Sequence, residues 1–390
     1  MITSSPKESV LNFYKNKYGN APEYLVRAPG RVNLIGEHTD YNDGYVMPLA
    51  IDYAVWIALS HIPEPEVRIH SIDFDQSEIV PINHTLTKGE GWSEYLKGLI
   101  NILKHSKYEL FGWKGVMGSN VPIGAGLSSS AALSLALTKA FETVCNWDWD
   151  PSQMARICQL SENKWVGVNC GIMDQMISAL GQENHLMLID CRSLKTTPVP
   201  LPEDVTVIIL DTGTRRGLVN SAYNARREQC ESVASFFGKN TLRDVTYQQL
   251  NESKAKIDPI KFKRARHVIK ENERVLDSVK SLKSGNLDQV GKLMNLSHIS
   301  LRDDFEVSSD SLDLIVESAI NSPGCYGARM TGAGFGGCAV ALVETKETEY
   351  FVKKVLKSYQ TATENNAILY VCKASEGTSM YTKNEFTAKQ

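Results

Sequence analysis

The stretch VPIGAGLSSSAAL, residues 121–133, puts a glycine-rich loop between a strand-like segment at 112–119 and an Ala- and Leu-rich segment at 131–144 that favours a helix. Glycines let the backbone come close to a bulky anion. The start of a helix presents free N–H groups and about half a positive charge. The three serine hydroxyls can bind phosphate oxygens or Mg²⁺. The stretch therefore predicts a phosphate-binding loop, with a tight turn capped by a serine as the alternative.

This loop is not the usual P-loop, which needs a Lys followed by Ser or Thr after its last glycine, because Leu127 and Ser128 follow Gly126. A second loop, TGAGFGG at 331–337, formally satisfies the dinucleotide pattern GxGxxG. That reading requires a helix after the loop, and CAVALVE at 338–344 favours a strand instead. We therefore reject it and expect a glycine-dense turn packed against the phosphate site. A hairpin turn without ligand contact is the alternative.

Polar side chains crowd a third segment, GRVNLIGEHTDYNDG at 30–44, which begins as a strand. It carries Arg31, Glu37, His38, Asp40 and Asp43. Carboxylates, an imidazole and hydroxyls suit a polyol, since each sugar hydroxyl both donates and accepts hydrogen bonds. Binding of a metal cation by the acidic and histidine side chains is a competing hypothesis. An ordinary polar surface loop is the third.

The remaining periodicity favours an α+β chain of two units. A serine–proline signal at Ser4, Ser5 and Pro6 predicts a first helix. Strands are predicted at 24–36, 54–60, 67–73, 185–190, 205–212, 338–344 and 367–374, and helices at 92–104, 152–166 and over much of 219–300. The proline-bearing stretch 198–204 is the predicted boundary, giving domains at 1–200 and 201–390.

Composition excludes several classes of protein. The chain has 390 residues, of which 42% are hydrophobic and 22% charged, so it is neither disordered nor collagen-like. A net charge of −3 argues against a dedicated nucleic-acid or membrane-surface binder. The eight cysteines are scattered without a CxxC pair, and no apolar run suits a signal peptide or a membrane span. We therefore expect a cytoplasmic protein, and we expect it to be a monomer.

Together the three segments resemble the three motifs of the GHMP small-molecule kinases, in their usual order, and the GEHTDY core of the first resembles the galactokinase branch. Four more stretches agree: NCGIMDQ at 169–175, LIDCRS at 188–193, YNARREQC at 223–230 and SHISLRDDFEVS at 297–308. The resemblance implies two lobes around the active site, with an N-terminal lobe like ribosomal S5 domain 2 and a ferredoxin-like C-terminal lobe. It also implies transfer of the ATP γ-phosphoryl group to the 1-hydroxyl of α-D-galactose, the first step of the Leloir route.

The resemblance assigns catalysis to two residues. Asp174 matches the family's catalytic base, and such a base contributes about 10²–10⁴ in rate. Arg31 matches the residue between the sugar 1-hydroxyl and the γ-phosphate, where it can stabilise negative charge and favour ionised Asp174. The alternatives are a loop cap for Asp174 and a purely structural ion pair between the two.

By the same resemblance, the galactose contacts are Glu37, His38, Thr39, Asp40, Gly171, Asp174 and Tyr223. The phosphate contacts are Gly124, Ala125, Gly126, Leu127, Ser128, Ser129 and Ser130. Ser130 and Glu162 match the Mg²⁺ positions, Trp92 is the candidate for stacking on adenine, and Ser71 is a weaker nucleotide candidate. Tyr223 and Trp92 could instead be ordinary packing residues, and Glu162 a solvated helix residue. His298 and Asp303 have no clear chemical role, and the other histidines look incidental.

Two rival functions remain open. One is a sister kinase acting on N-acetylgalactosamine, galacturonate or arabinose, since sequence does not size the sugar site at C2 and C6. The other is a galactose and ATP sensor without catalysis. Such sensors lose residues in the serine–alanine stretch of the second motif. Here SSSAA at 128–132 is complete, which favours an enzyme.

Overall fold

The computed structural model describes residues 5–122, 124–214 and 219–387, and both helices and sheets occur throughout this part of the chain. Three sheets occur in this part of the chain, with six, four and three strands. Within the described residues, no helix has the length and apolar character required to cross a lipid bilayer. The predicted α+β class is confirmed.

The largest sheet has the strand order β13-β1-β3-β6-β4-β5 and is antiparallel except between β4 and β6. Its strands are β1 (Tyr24–Asn33), β3 (Pro48–His61), β4 (Glu66–Ser71), β5 (Gln76–Pro81), β6 (Trp113–Ser119) and β13 (Ser379–Thr382). Beside it lies a small antiparallel sheet of β2 (Tyr45–Val46), β7 (His185–Asp190) and β8 (Thr196–Pro200). β1 is buried along nearly its whole length, and the polar residues Glu37, His38 and Thr39 that follow it are buried as well.

The third sheet is antiparallel and consists of β9 (Val205–Asp211), β10 (Cys325–Thr331), β11 (Cys338–Glu344) and β12 (Ile368–Cys372). Its order, β10-β11-β9-β12, with helices between β9 and β10 and between β11 and β12, is the split βαβ arrangement of a ferredoxin-like unit. β11 follows the second glycine loop directly. The rejection of a dinucleotide-binding loop is therefore confirmed.

Helices surround the sheets. In the first half they are α1 (Pro6–Tyr18), α2 (Ser93–His105), α3 (Ser129–Cys145), α4 (Pro151–Ser161) and α5 (Met173–Leu180). The second half contributes α6 (Val219–Phe236), α7 (Tyr247–Glu252), α8 (Pro259–Lys283), α9 (Leu287–Ser300), α10 (Asp310–Ile320), α11 (Thr348–Thr363) and α12 (Lys383–Thr387). α1 begins as predicted, because the Ser5 side chain accepts the backbone N–H of Glu8 and Pro6 occupies the first turn. Ser4 lies outside the described residues.

Two features differ from the picture of two domains joined by a simple linker at residues 198–204. Pro198 and Pro200 lie in β8, at the edge of the small sheet, where a missing N–H costs no ladder hydrogen bond. β13, near the end of the chain, pairs with β1 in the first sheet. The division into 1–200 and 201–390 stays a prediction, and residues 379–387 pack with the N-terminal half.

Candidate active site

A polar cavity of about 320 Å³ brings the three sequence motifs together. The residues that line it are Arg31, Glu37, His38, Asp40, Gly124, Gly126, Leu127, Ser128, Ser129, Ser130, Glu162, Gly167, Val168, Asn169, Cys170, Gly171, Met173, Asp174, Tyr223, Asn224, Gly332 and Ala333. Most of the residues proposed from sequence are in this set. Thr39, Ala125, Ser71 and Trp92 are not.

Asp174 and Arg31 form a two-point ion pair in this cavity. The Asp174 Oδ1 and Oδ2 atoms accept Nε and Nη2 of Arg31 at 2.7 and 2.6 Å. Oδ2 also accepts the Ser128 hydroxyl, and Arg31 Nη1 donates to the Gly126 carbonyl at 2.5 Å. Burial lowers the pKa of Arg31, but the charge and hydrogen bonds of Asp174, together with the charges of Glu37 and Asp40, raise the net pKa. The pair thus joins the polar segment to the glycine loop, and Asp174 does not act as a loop cap.

The glycine loop leads into the N-terminus of α3. Gly124 and Gly126 have φ of 72° and 76°, the left-handed region that favours glycine. Ser128 also has a positive φ, 58°, and its hydroxyl bonds Asp174 instead of capping the helix. The first N–H groups of α3 have no side-chain cap there, so they remain available to an anion. Ala125 and Leu127 are buried, and they contribute backbone to the loop.

Glu37 is buried and strongly held. Its Oε1 accepts the Thr331 hydroxyl and the Gly332 N–H, both at 2.8 Å, and its Oε2 accepts Asn33 Nδ2 at 2.8 Å. Arg329 Nη2 lies 3.4 Å from Oε1. The carboxylate lines the cavity, so the lone pairs that remain can still face a ligand.

His38 and Thr39 behave differently. His38 has a φ of 63°, and its Nδ1 lies 2.8 Å from the Tyr41 hydroxyl. Its buried Nε2 has no hydrogen-bond partner among the described residues. Burial, with a smaller effect from His267, lowers the pKa of His38 to about 3, so the ring is neutral. The Thr39 hydroxyl is turned toward the carbonyls of Gly36 and Tyr45, so it shapes the segment, and its predicted sugar contact has no support from this geometry.

Asp40 lies against a glycine. A Cβ on Gly171 would lie 1.7 Å from Asp40 Oδ2, so only a residue without a side chain fits. Burial raises the pKa of Asp40 to about 6, and the Asp174 charge acts in the same direction. Tyr223, from α6, closes this end of the cavity with its ring 5.4 Å from that of His38. Tyr223 therefore both packs against the His38 ring and lines the cavity.

Glu162 and Ser130 lie together. The Ser130 hydroxyl and Gln175 Nε2 both hydrogen-bond the Glu162 carboxylate, and the Glu162 side chain is buried. The alternative of a solvated helix residue is therefore wrong. Burial raises the pKa of Glu162 to about 7, and the Asp174 charge adds to this effect. A cation would offset both effects, and one carboxylate with one hydroxyl suits Mg²⁺ that keeps waters and binds phosphate. Among the described residues no cluster of three or more His, Cys, Asp or Glu forms a fuller metal site.

A second, mostly apolar cavity of about 260 Å³ adjoins the first, since Ser129 and Ser130 line both. Trp92 lines it beside Phe74 and Tyr95. The Trp92 indole N–H donates to Gln76 Oε1 at 3.2 Å, and its ring also belongs to the hydrophobic core packed against the six-stranded sheet. Ser71 is buried and does not line the cavity. Its hydroxyl accepts the backbone N–H of Phe74 at 3.4 Å.

The second glycine loop packs on the first. Gly332 and Ala333 line the polar cavity, and the Cys338 thiol donates to the Ala125 carbonyl at 2.7 Å. Four glycines of this loop have positive φ, from 80° to 135°: Gly332, Gly334, Gly336 and Gly337. A glycine-dense turn that packs against the first glycine loop is therefore observed, and phosphate binding by that first loop stays a prediction.

Sequence reasoning missed several buried supports. His267 was expected to be incidental, but its Nε2 lies 3.1 Å from the Glu37 carbonyl. Arg329, fully buried, donates to the carbonyls of Asn33 and Leu34 at 3.2 Å. Neither has a local motif, so only the tertiary fold could reveal them. The helical period of residues 259–283 was the one available signal for His267.

His298 and Asp303, for which the sequence indicates no clear chemical role, each contact a charged side chain in the structure. His298 Nε2 lies 3.2 Å from Asp313 Oδ1, and its Nδ1 accepts the Met330 N–H at 3.3 Å. Asp303 pairs with its exposed neighbour Arg302. Support of β10 is thus the role of His298, while Asp303 lies away from the polar cavity.

Comparison with known proteins identifies the family. The galactokinase galactose-binding signature matches residues 12–61, the GHMP kinase N-terminal domain matches 94–182, and the GHMP kinase C-terminal domain matches 278–361. A galactokinase of Haemophilus influenzae is 44% identical over 382 residues, which cover 96% of this chain and 99% of that protein. The chain belongs to the galactokinase family. The predicted family resemblance is confirmed.

Solved structures agree with this assignment of the fold. The crystal structure of a Lactococcus lactis galactokinase in complex with galactose matches with a TM-score of 0.92 and 33% identity, over 95% of this chain and 99% of that one. A Methanococcus jannaschii mevalonate kinase matches with a TM-score of 0.64 at 20% identity, over 90% of this chain and 98% of that one, which supports the fold alone. The two-lobed GHMP kinase fold predicted for this galactokinase family member is therefore confirmed.

Proposed function

We propose that this protein transfers the γ-phosphoryl group of ATP to the 1-hydroxyl of α-D-galactose, giving galactose 1-phosphate and ADP. Its membership of the galactokinase family supports the reaction class. The single observation that carries the proposal is the position of Asp174, which is held by Arg31 from the polar segment and by Ser128 from the glycine loop. A group so placed can contact both a bound sugar and a bound phosphate chain.

Galactose is proposed to occupy the end of the polar cavity formed by Glu37, His38, Asp40, Gly171 and Tyr223. Neutral His38 has an open Nε2, which can donate to or accept from a hydroxyl. Asp40 is the candidate for the 3- and 4-hydroxyls, and Glu37 and His38 for the 6-hydroxyl. A site that pairs buried polar groups with substrate hydroxyls rejects analogues lacking them by about 10⁴–10⁵.

Asp174 is the proposed base. A carboxylate has about four lone-pair positions, and two Arg31 bonds with one Ser128 bond leave one for the sugar 1-hydroxyl. Asp174 would accept the proton as the oxygen attacks the γ-phosphorus. Arg31 would hold Asp174 in orientation and stabilise negative charge on the transferred group. The bond from Arg31 to the Gly126 carbonyl fixes the guanidinium beside the phosphate loop.

The phosphates of ATP are proposed to bind residues 124–130 and the free N–H groups at the start of α3. Ser130 and Glu162 would hold Mg²⁺, which neutralises charge on the β- and γ-phosphate oxygens when it is bound. The second cavity, with Trp92, is the proposed adenine site, because it is apolar and adjoins the phosphate loop. Ser71 would contribute by fixing the Phe74 backbone.

A coupled assay of ADP release tests the reaction. We expect release with galactose and ATP that depends on Mg²⁺. A panel with N-acetylgalactosamine, galacturonate and arabinose separates the sister kinases, and faster turnover of any of these than of galactose would overturn the sugar assignment. Galactose binding without ADP release would instead indicate a sensor.

We also propose a cytoplasmic monomer without nucleic-acid or membrane partners. All eight cysteines are free thiols, which suits a reducing compartment. Light scattering coupled to gel filtration tests the oligomeric state, and we expect a mass near 43.3 kDa.

A further inference from the structure

One face of α8 contacts the backbone of the segment that carries the proposed sugar-binding residues. His267, Glu271 and Asn272 lie on this face and all three are buried. Each hydrogen-bonds a different backbone group between residues 36 and 45. The segment comes from the N-terminal half of the chain and α8 from the C-terminal half. The two halves are therefore joined at the sugar site itself.

Glu271 holds the start of the segment. Its Oε1 accepts the Gly36 N–H at 3.0 Å and the Ser297 hydroxyl at 2.6 Å, while Oε2 accepts Arg274 Nε at 2.6 Å. The side chain is fully buried. Burial raises its pKa, but the Arg274 charge together with Arg329 and the Ser297 hydrogen bond lowers the net pKa of Glu271 to about 2. The carboxylate is therefore an ionised acceptor, whose hydrogen bonds are stronger than neutral ones.

Gly36 has little freedom to move. Its φ is 106°, which L side chains rarely adopt, and a Cβ there would lie 2.7 Å from the Tyr45 carbonyl oxygen. Asn272 Oδ1 accepts the Tyr45 N–H at 2.8 Å. The two ends of the segment thus approach each other closely, and adjacent residues of α8 hold both ends.

His267 contacts the next residue of the segment, Glu37. Burial lowers its pKa to about 4, so the ring is neutral and carries one N–H. Because the Glu37 carbonyl can only accept, Nε2 must carry the proton, and Nδ1 faces the Ser300 hydroxyl at 2.9 Å. The ring centroid lies 4.7 Å from that of Phe305, which lies 4.7 Å from that of His38. His267 therefore sets both the Glu37 backbone and the His38 ring.

We propose that His267, Glu271 and Asn272 are positioning residues for the sugar, which they do not touch, acting through the backbone of residues 36–45 that carries Glu37, His38 and Asp40. This inference rests on the proposed function. Their described hydrogen bonds reach the segment and α9, and none of them reaches the glycine loop at 124–130 or Trp92. Loss of one of these residues should therefore weaken sugar recognition and leave nucleotide recognition intact.

The test measures KM for galactose and for ATP separately. In His267→Leu we expect KM for galactose to rise about tenfold, the equivalent of about 1.4 kcal/mol, with KM for ATP within twofold and kcat within threefold. His267→Gln can again donate an amide N–H and should recover most of the loss. Asn272→Ala should also raise KM for galactose. Asn272→Asp keeps the oxygen acceptor and should not raise this KM.

Val268→Ala is the matched control, because Val268 is the next residue on α8, is fully buried and belongs to the hydrophobic core packed against the four-stranded sheet. It should lower Tm without changing either KM. The inference is overturned if His267→Leu and Asn272→Ala lower Tm like the control but leave KM for galactose unchanged, or raise both KM values equally. If the wild-type protein shows no galactose-dependent ADP release, the proposed function fails instead. Asn272→Ala decides the matter if His267→Leu does not fold.

Discussion

Replacing Gly171 by alanine should disable sugar phosphorylation while the protein stays folded. The added Cβ would lie 1.7 Å from Asp40 Oδ2, 2.2 Å from Cγ and 2.8 Å from Oδ1. An ordinary contact begins at 3.4 Å, so the carboxylate or the Gly171 backbone must move by about 1.7 Å. Movement of Asp40 has a cost, since its side chain is half-buried and its Oδ1 accepts the Tyr41 N–H at 2.9 Å.

The expected loss of activity follows from that displacement. A misplacement of about 1 Å at a reacting site can cost about 10²-fold in rate, and a displaced Asp40 also loses its bonds to the sugar. We therefore expect kcat/KM for galactose to fall at least about 100-fold in Gly171→Ala. KM for ATP should change by less than about threefold, because Gly171 does not line the second cavity.

The assay is ADP release at varied galactose and fixed ATP, with circular dichroism to verify folding. Gly89→Ala is the matched control, since Gly89 has an ordinary φ and an added Cβ would meet only the ends of the Glu94 and Lys97 side chains. A folded Gly171→Ala protein with kcat/KM within threefold of wild type would refute the contact between Asp40 and the sugar.

Three further variants test other parts of the account. Asp174→Asn should lower kcat at least about 100-fold and leave galactose affinity by calorimetry within about tenfold, because a general base acts mainly in the transition state. Glu162→Gln should raise the Mg²⁺ concentration for half-maximal ADP release at least about tenfold. The buried neutral His267 has a folded pKa of about 4 against an unfolded 6.5, so the unfolded chain binds more protons and stability is lost as pH falls from 6.5 to 4. Over that pH range the free energy of unfolding, measured by urea unfolding, should therefore fall by up to about 3 kcal/mol less in His267→Gln than in wild type.

Each of these has a result that would contradict it. Near-normal turnover in Asp174→Asn would remove Asp174 as the base. An unchanged Mg²⁺ titration in Glu162→Gln would mean that the Glu162 carboxylate does not bind the metal. Parallel stability curves for wild type and His267→Gln would mean that His267 is charged in the folded protein.

Sequence reasoning succeeded where function depends on local chemistry. The glycine loop before α3 and the strand after the second glycine loop follow from short motifs whose residue types have few other uses, while the convergence of Arg31 with Asp174 was predicted from the family resemblance. The same reasoning brought Glu162 and Ser130 into one site, through the family pattern.

Sequence reasoning failed where a residue acts by contact across the fold. His267 and Arg329 sit in ordinary helix and strand patterns, and their role depends on which backbone carbonyls the tertiary fold brings to them. Thr39 stands among sugar-binding candidates, yet its hydroxyl bonds the backbone, because the segment turns sharply between Gly36 and Tyr45. β13 was not predicted, since a four-residue edge strand carries little periodicity.

The most direct test of the central claim is a crystal structure with galactose and a non-hydrolysable ATP analogue bound together. The account predicts the galactose O1 atom about 3–3.5 Å from the terminal phosphorus, with an Asp174 oxygen in hydrogen-bond contact with O1 and Arg31 beside both. A sugar bound outside the polar cavity, or an O1 atom that faces away from both Asp174 and the phosphate, would contradict it.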